Sequence, residues 1–84
     1  MLDLAKYLAK QGRYKESDET FQQAEKIAPN SPKVMFARAH SYIKAKRNLD
    51  EAKLLLEKYL RSNLTPEDAP REEASKLLKQ VAGA

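Results

Sequence analysis

Offset by 34 residues, the chain falls on itself: Ala5 on Ala39, Leu8 on Tyr42 and Lys10 on Lys44. At an offset of 35, Tyr14 falls on Leu49, Glu16 on Glu51, Ser17 on Ala52, Phe21 on Leu56 and Ala24 on Tyr59, so the extra residue belongs to the turn at Lys46-Arg47. Self-similarity at a fixed period marks a repeat architecture, in which no unit buries its apolar face alone and each packs on its neighbour.

Within the repeat the spacing is helical. Leu4, Ala5, Leu8 and Ala9 share one stripe of a helix over about Leu2 to Gln11, which Gly12 ends as a left-handed cap. Tyr14, Ser17, Phe21, Ala24 and Ile27 carry a second helix, broken at Pro29. Ser31 followed by Pro32 is an N-cap and first-position pair for a third. Val34, Met35, Ala37, Arg38, Ala39, Tyr42 and Ile43 sustain it to about Ala45, before a polar turn at Lys46-Arg47-Asn48. Leu49, Ala52, Leu55, Leu56, Tyr59 and Leu60 form the fourth, ending near Ser62-Asn63. Thr65-Pro66-Glu67-Asp68 resembles a helix start, but Pro70 interrupts it. The expectation is a short turn and then a helix from about Pro70, with Ala74, Leu77, Leu78 and Val81 inward. Turns this short favour antiparallel neighbours, giving an all-α chain of about five helices in stacked hairpins.

Composition agrees with this and removes other classes. At 84 residues the chain is one small domain, residues 1–84, and with no cysteine it has neither disulfides nor thiolate metal sites. The longest apolar run, Leu54 to Leu56, is far short of the roughly 20 residues of a membrane span, so no membrane insertion is expected. The pattern begins a few residues into a repeat, which reads as an excerpt of a larger multi-repeat protein with Met1 an added start. The compartment stays open, with the cytoplasm slightly favoured.

Particular residues resemble a known family. Lys10-Gln11-Gly12-Arg13-Tyr14-Lys15-Glu16-Ser17, continuing to Phe21, Ala24 and Pro29, is similar to the turn and second helix of the tetratricopeptide repeat. Ala5 and Ala39 stand at its tight helix-crossing position, Ser17 and Ala52 at its small position, and Phe21 and Leu56 at its bulky one. Small and large side chains must alternate there for two backbones to approach closely. The resemblance implies a short right-handed solenoid: repeat one over about residues 1–31, repeat two over about 32–64, and a capping helix over about 66–82. The second repeat departs from the pattern. Met35 replaces the bulky first-helix aromatic, Arg38 a leucine, Tyr59 the late small residue, and Leu64, with Pro66 after it, the closing proline.

Catalysis finds little support. His40 is the only histidine, no Gly-rich phosphate loop exists, and no carboxylates cluster with it at metal spacing, so neither enzyme activity nor a metal or cofactor is expected. Glu16, Asp18 and Glu19, or Glu72 and Glu73, are first-turn acidic residues that suit helix dipoles better than acid-base chemistry.

Binding finds more. The net charge is +4, and lysine and arginine gather on particular helices: Lys6, Lys10, Arg13 and Lys15 on or just after the first, and Lys33, Arg38, Lys44, Lys46 and Arg47 on or just after the third. Lys33, Phe36, His40 and Lys44 follow steps of three, four and four, sharing one face distinct from that of Ala39 and Tyr42. In the family the first helices of the hairpins line a concave groove. Carried over by position, its residues are Leu2, Lys6, Ala9 and Lys10 from the first repeat and Lys33, Phe36, His40, Ile43 and Lys44 from the second. Such a groove suits a protein or peptide segment offering acidic and apolar groups. The family's grip on a terminal carboxylate is not expected, because Asp3 and Ala37 stand where its donors would be. Nucleic acid is a disfavoured rival: aromatics are few and no basic run exceeds Lys46-Arg47. A homo-oligomer is a further alternative, through an unfinished hairpin end at Met1, Leu4 and Leu8.

Overall fold

The computed structural model describes residues 2–82, and Met1 lies outside them. Among the described residues the chain is all helical, with no strand: α1 (Leu2–Lys10), α2 (Tyr14–Ile27), α3 (Pro32–Ala45), α4 (Leu49–Leu60) and α5 (Arg71–Ala82). Helix α1 packs on α2, α3 on α4, and α4 on α5, while α3 also touches α1, α2 and α5. It is therefore the central helix. No helix is long and apolar enough to cross a membrane.

The 34-residue offset is visible in hydrogen bonds. Gly12, at φ 78°, ends α1 with its N–H donating to the Ala9 carbonyl (3.1 Å) and the Arg13 N–H donating to Leu8 (2.9 Å). Lys46, at φ 55°, ends α3 in the same way, with its N–H on Ile43 (3.1 Å) and the Arg47 N–H on Tyr42 (3.0 Å). Both are left-handed caps that satisfy the last carbonyls of a helix. The lysine holds without strain relief a conformation that glycine adopts freely. The next helix then begins on the Arg13 carbonyl, which accepts from Ser17 (3.0 Å), or on the Asn48 carbonyl, which accepts from Ala52 (2.9 Å). Arg13 thus does alone what Arg47 and Asn48 divide between them. That is the extra residue of the second unit.

The offset is visible in packing as well. Ala5, Ala39 and Ala74 are each 0% exposed, at steps of 34 and 35 residues. Ser17 with Ala52, Phe21 with Leu56, and Ala24 with Tyr59 are buried pairs at an offset of 35. Ser17 donates to the Ala5 carbonyl at 2.8 Å, tying α2 to α1. Ala5, Phe21 and Ala37 form one core, and Ala39, Tyr42, Ala52, Leu56, Tyr59 and Ala74 a larger one.

The departures from the repeat pattern have structural partners. Arg38, whose side chain is 11% exposed, donates to the Tyr42 hydroxyl (2.9 Å) and pairs with Glu25 of α2 (2.9 Å) and Glu51 of α4 (3.4 Å). Arg47 makes a two-pronged pair with Asp18 (3.0 and 2.8 Å) and lies over the rings of Tyr14 and Tyr42. The Tyr59 hydroxyl donates to the Ala69 carbonyl at 2.6 Å, fastening the segment before α5. In that segment Asp68 accepts from the Thr65 N–H at 2.9 Å, forming the short turn expected ahead of Pro70.

Three apolar expectations need correction. Leu4, placed on one stripe with Ala5 and Leu8 and also at an unfinished hairpin end, parts from that stripe and is 53% exposed, because α2 and α3 cover the side holding Ala5 and Leu8. Ile27, counted with the apolar run of α2, is 71% exposed: α1 has nine residues to the fourteen of α2, whose last turn overhangs it. Leu8, assigned to an exposed end, is buried. On α5 only Ala74 is fully inward, while Leu77, Leu78 and Val81 are half-buried.

Candidate ligand groove

Helix α3 lies against α1, and two clefts are lined mainly by these two helices. The first, of about 340 Å³, lies where α1 and α3 run towards their C-terminal ends. Lys6, Lys10, His40 and Lys44 converge on it, joined by Ala9 and by three residues the sequence reading missed, Tyr14, Ser41 and Ala45. No carboxylate lines it. The second, of about 230 Å³, lies nearer the N-terminal ends and takes in Leu2, Lys6, Lys33 and Phe36. Lys6 belongs to both.

Eight of the nine residues expected at the site line one cleft or the other. Ile43 does not; it packs against the core around Tyr42, Leu56 and Tyr59. Phe36 divides its surface. It borders the second cleft, stacks on His40 (ring centroids 6.0 Å apart, planes at 11°) and tilts against Tyr59 (5.1 Å, 45°). Lys33 is already engaged, its Nζ 3.6 Å from the Glu67 carboxylate across exposed surface. Lys6, Lys10 and Lys44 have no ion-pair partner among the described residues. The second cleft also carries Asp3, already read at a donor position of the groove, and Glu67 and Asp68, which the sequence reading did not place there, so its carboxylates offset Lys6 and Lys33. Glu67 and Asp68 read as a helix start in the sequence, and no periodicity could bring that turn back to α1 and α3.

Burial depresses the His40 imidazole below its ordinary 6.5, and Lys44 and Lys6 add to this, with Glu73 of α5 opposing. Neutral imidazole is therefore favoured in the fold. The unfolded chain takes up a proton more readily, so stability contributed by this group is present above pH 6.5 and is lost as pH falls past that value towards the depressed one. Replacing His40 by Gln is expected to flatten this part of the stability profile, which urea melts between pH 7.5 and 5 would show. An NMR titration of the single histidine should place its midpoint below 6.5.

Among the described residues no three His, Asp or Glu side chains are grouped to hold a metal. The first cleft presents lysine ammonium groups, an imidazole edge and two hydroxyls, while the second sets lysines among carboxylates beside Leu2 and Phe36. Compared with family models, curated proteins and solved structures, the chain matches none.

Proposed function

We propose that the chain is a non-catalytic scaffold of the tetratricopeptide type, which holds a protein or peptide segment in the groove formed by α1 and α3. In this reading α1 with α2 and α3 with α4 are antiparallel hairpins stacked as a short right-handed solenoid, and α5 closes the stack. The duplicated left-handed caps and the three crossing alanines support the repeat. The observation that carries the function is the first cleft, where Lys6, Lys10 and Lys44 converge with no carboxylate lining it. Uncompensated like charges in a concavity attract an anionic ligand and concentrate it there. Phe36 and Leu2 offer apolar contact alongside.

The test is binding of an acidic peptide carrying one large apolar residue, followed by chemical shifts and by affinity across salt. Lys44→Glu is expected to weaken binding at least fivefold. Phe36→Leu, chosen over alanine because Phe36 also supports Tyr59, should weaken it about twofold to fivefold, and Arg61→Glu, outside the groove, should leave it nearly unchanged. Equal loss in all three would mean nonspecific charge attraction. A single-stranded oligonucleotide that binds better, with affinity collapsing steeply in salt, would favour nucleic acid instead.

Self-association is a second reading, resting on Leu4 and Tyr7, which are 53% and 57% exposed one turn apart on α1. Sedimentation of the wild type and of Leu4→Lys over a hundredfold concentration range separates it from the first.

A further inference from the structure

Lysine recurs on α1, α3 and α5 at one position: Lys10, Lys44 and Lys79 each follow the fully buried crossing alanine of their helix, Ala5, Ala39 and Ala74, by five residues. Five residues turn a helix by about 140° from that contact and advance it about 7.5 Å. Each lysine therefore stands at the same register from its buried alanine, on a side turned away from it. All are exposed, and none is ion-paired among the described residues. Lys10 and Lys44 line the first cleft together, and since α3 touches both α1 and α5, the shared register extends this row to Lys79.

We propose that this row is a ladder that reads acidic side chains at every third position of a partner segment in polyproline II conformation. The proposal rests on the groove reading above and extends the site onto α5. Packed helices lie about 8–10 Å apart, which sets the step between rungs. A polyproline II chain advances about 3.1 Å per residue with three residues per turn, so side chains three apart share a face and stand about 9 Å from one another. A β-strand matches less well, because its same-face positions fall at about 6.6 and 13 Å. An α-helix matches less well too, because its same-face positions fall at about 6 and 10.5 Å. Complementary charge and pitch therefore select the same ligand.

The experiment compares three blocked peptides of identical composition by fluorescence anisotropy at moderate salt. Each has three Glu among prolines, spaced every third residue, spaced every second residue, or run together. The third-residue peptide is expected to bind tightest. Lys10→Gln, Lys44→Gln and Lys79→Gln should each cost it about twofold to fivefold, the range of exposed ion pairs, and should narrow its lead over the other two. Lys76→Gln, on the same helix as Lys79 but outside the row, should change nothing. Equal affinity of the three peptides, or equal loss with Lys76→Gln and Lys79→Gln, overturns the ladder; if chemical shifts still cluster on Lys6, His40 and Lys44, the groove reading survives that failure. Absence of shifts there sinks both. An oligonucleotide that outcompetes every peptide and depends on Lys79 assigns the row to phosphates and overturns the proposal.

Discussion

Tyr59→Ala is expected to cost about 3–5 kcal/mol, as truncation of a large buried aromatic does, even though alanine is what the first unit carries at the equivalent position, Ala24. Tyr59 is 1% exposed, tilts against Phe36 and holds the Ala69 carbonyl through its hydroxyl. Its removal opens a cavity and releases the segment that leads into α5. Domains of this size have about 5–15 kcal/mol in total, so the variant should sit near the edge of folding. Urea denaturation followed by circular dichroism measures the loss, and Tyr59→Phe isolates the hydroxyl at about 1 kcal/mol. If Tyr59→Ala proves as stable as the wild type, the second unit does not depend on this packing, and its divergence from the first is neutral.

Ala39→Leu should be the next most damaging change, for the opposite reason. Ala39 has no exposed surface and lies on the central helix, in the core shared with Tyr42, Ala52 and Ala74. Three added carbons have nowhere to go without pushing helices apart, and overpacking of this kind costs about 1–3 kcal/mol. The same substitution at Ala28, which is exposed, should be near neutral. The crowded variant should also widen the clefts, since α3 is a wall of each, so peptide affinity should fall even where the protein remains folded.

All five helices were legible in the sequence, because Gly12, Pro29, Pro32, Lys46 to Asn48 and Pro70 punctuate runs of strong helical period. The buried alanines of α1 and α3 were legible as a pair too, through the 34-residue offset. Ala74 was read only as an inward residue of a capping helix, since the irregular stretch from Ser62 to Pro70 hides its step of 35 from Ala39. The candidate groove was legible only in part. Helix geometry gave the shared face of Lys33, Phe36, His40 and Lys44 but not which of them are already occupied. The Glu67 contact to Lys33 and the tilted contact of Phe36 with Tyr59 depend on how a turn and a later helix return to α3. Ile43 illustrates the same limit: it is only three residues past His40, yet α3 turns enough in that interval to give it to the core.

Helices α1 and α5 do not touch, and the helix-to-helix contacts that join them all pass through α3. Fraying at one end therefore costs the other end little, and amide exchange should be slowest in α3 and fastest at the two flanks. A ligand laid across all three helices would change that. It would add a direct bridge between elements that otherwise ignore one another, making three loosely linked units unfold as one, so that occupancy would appear first as lost independence of the ends and only second as a higher melting point.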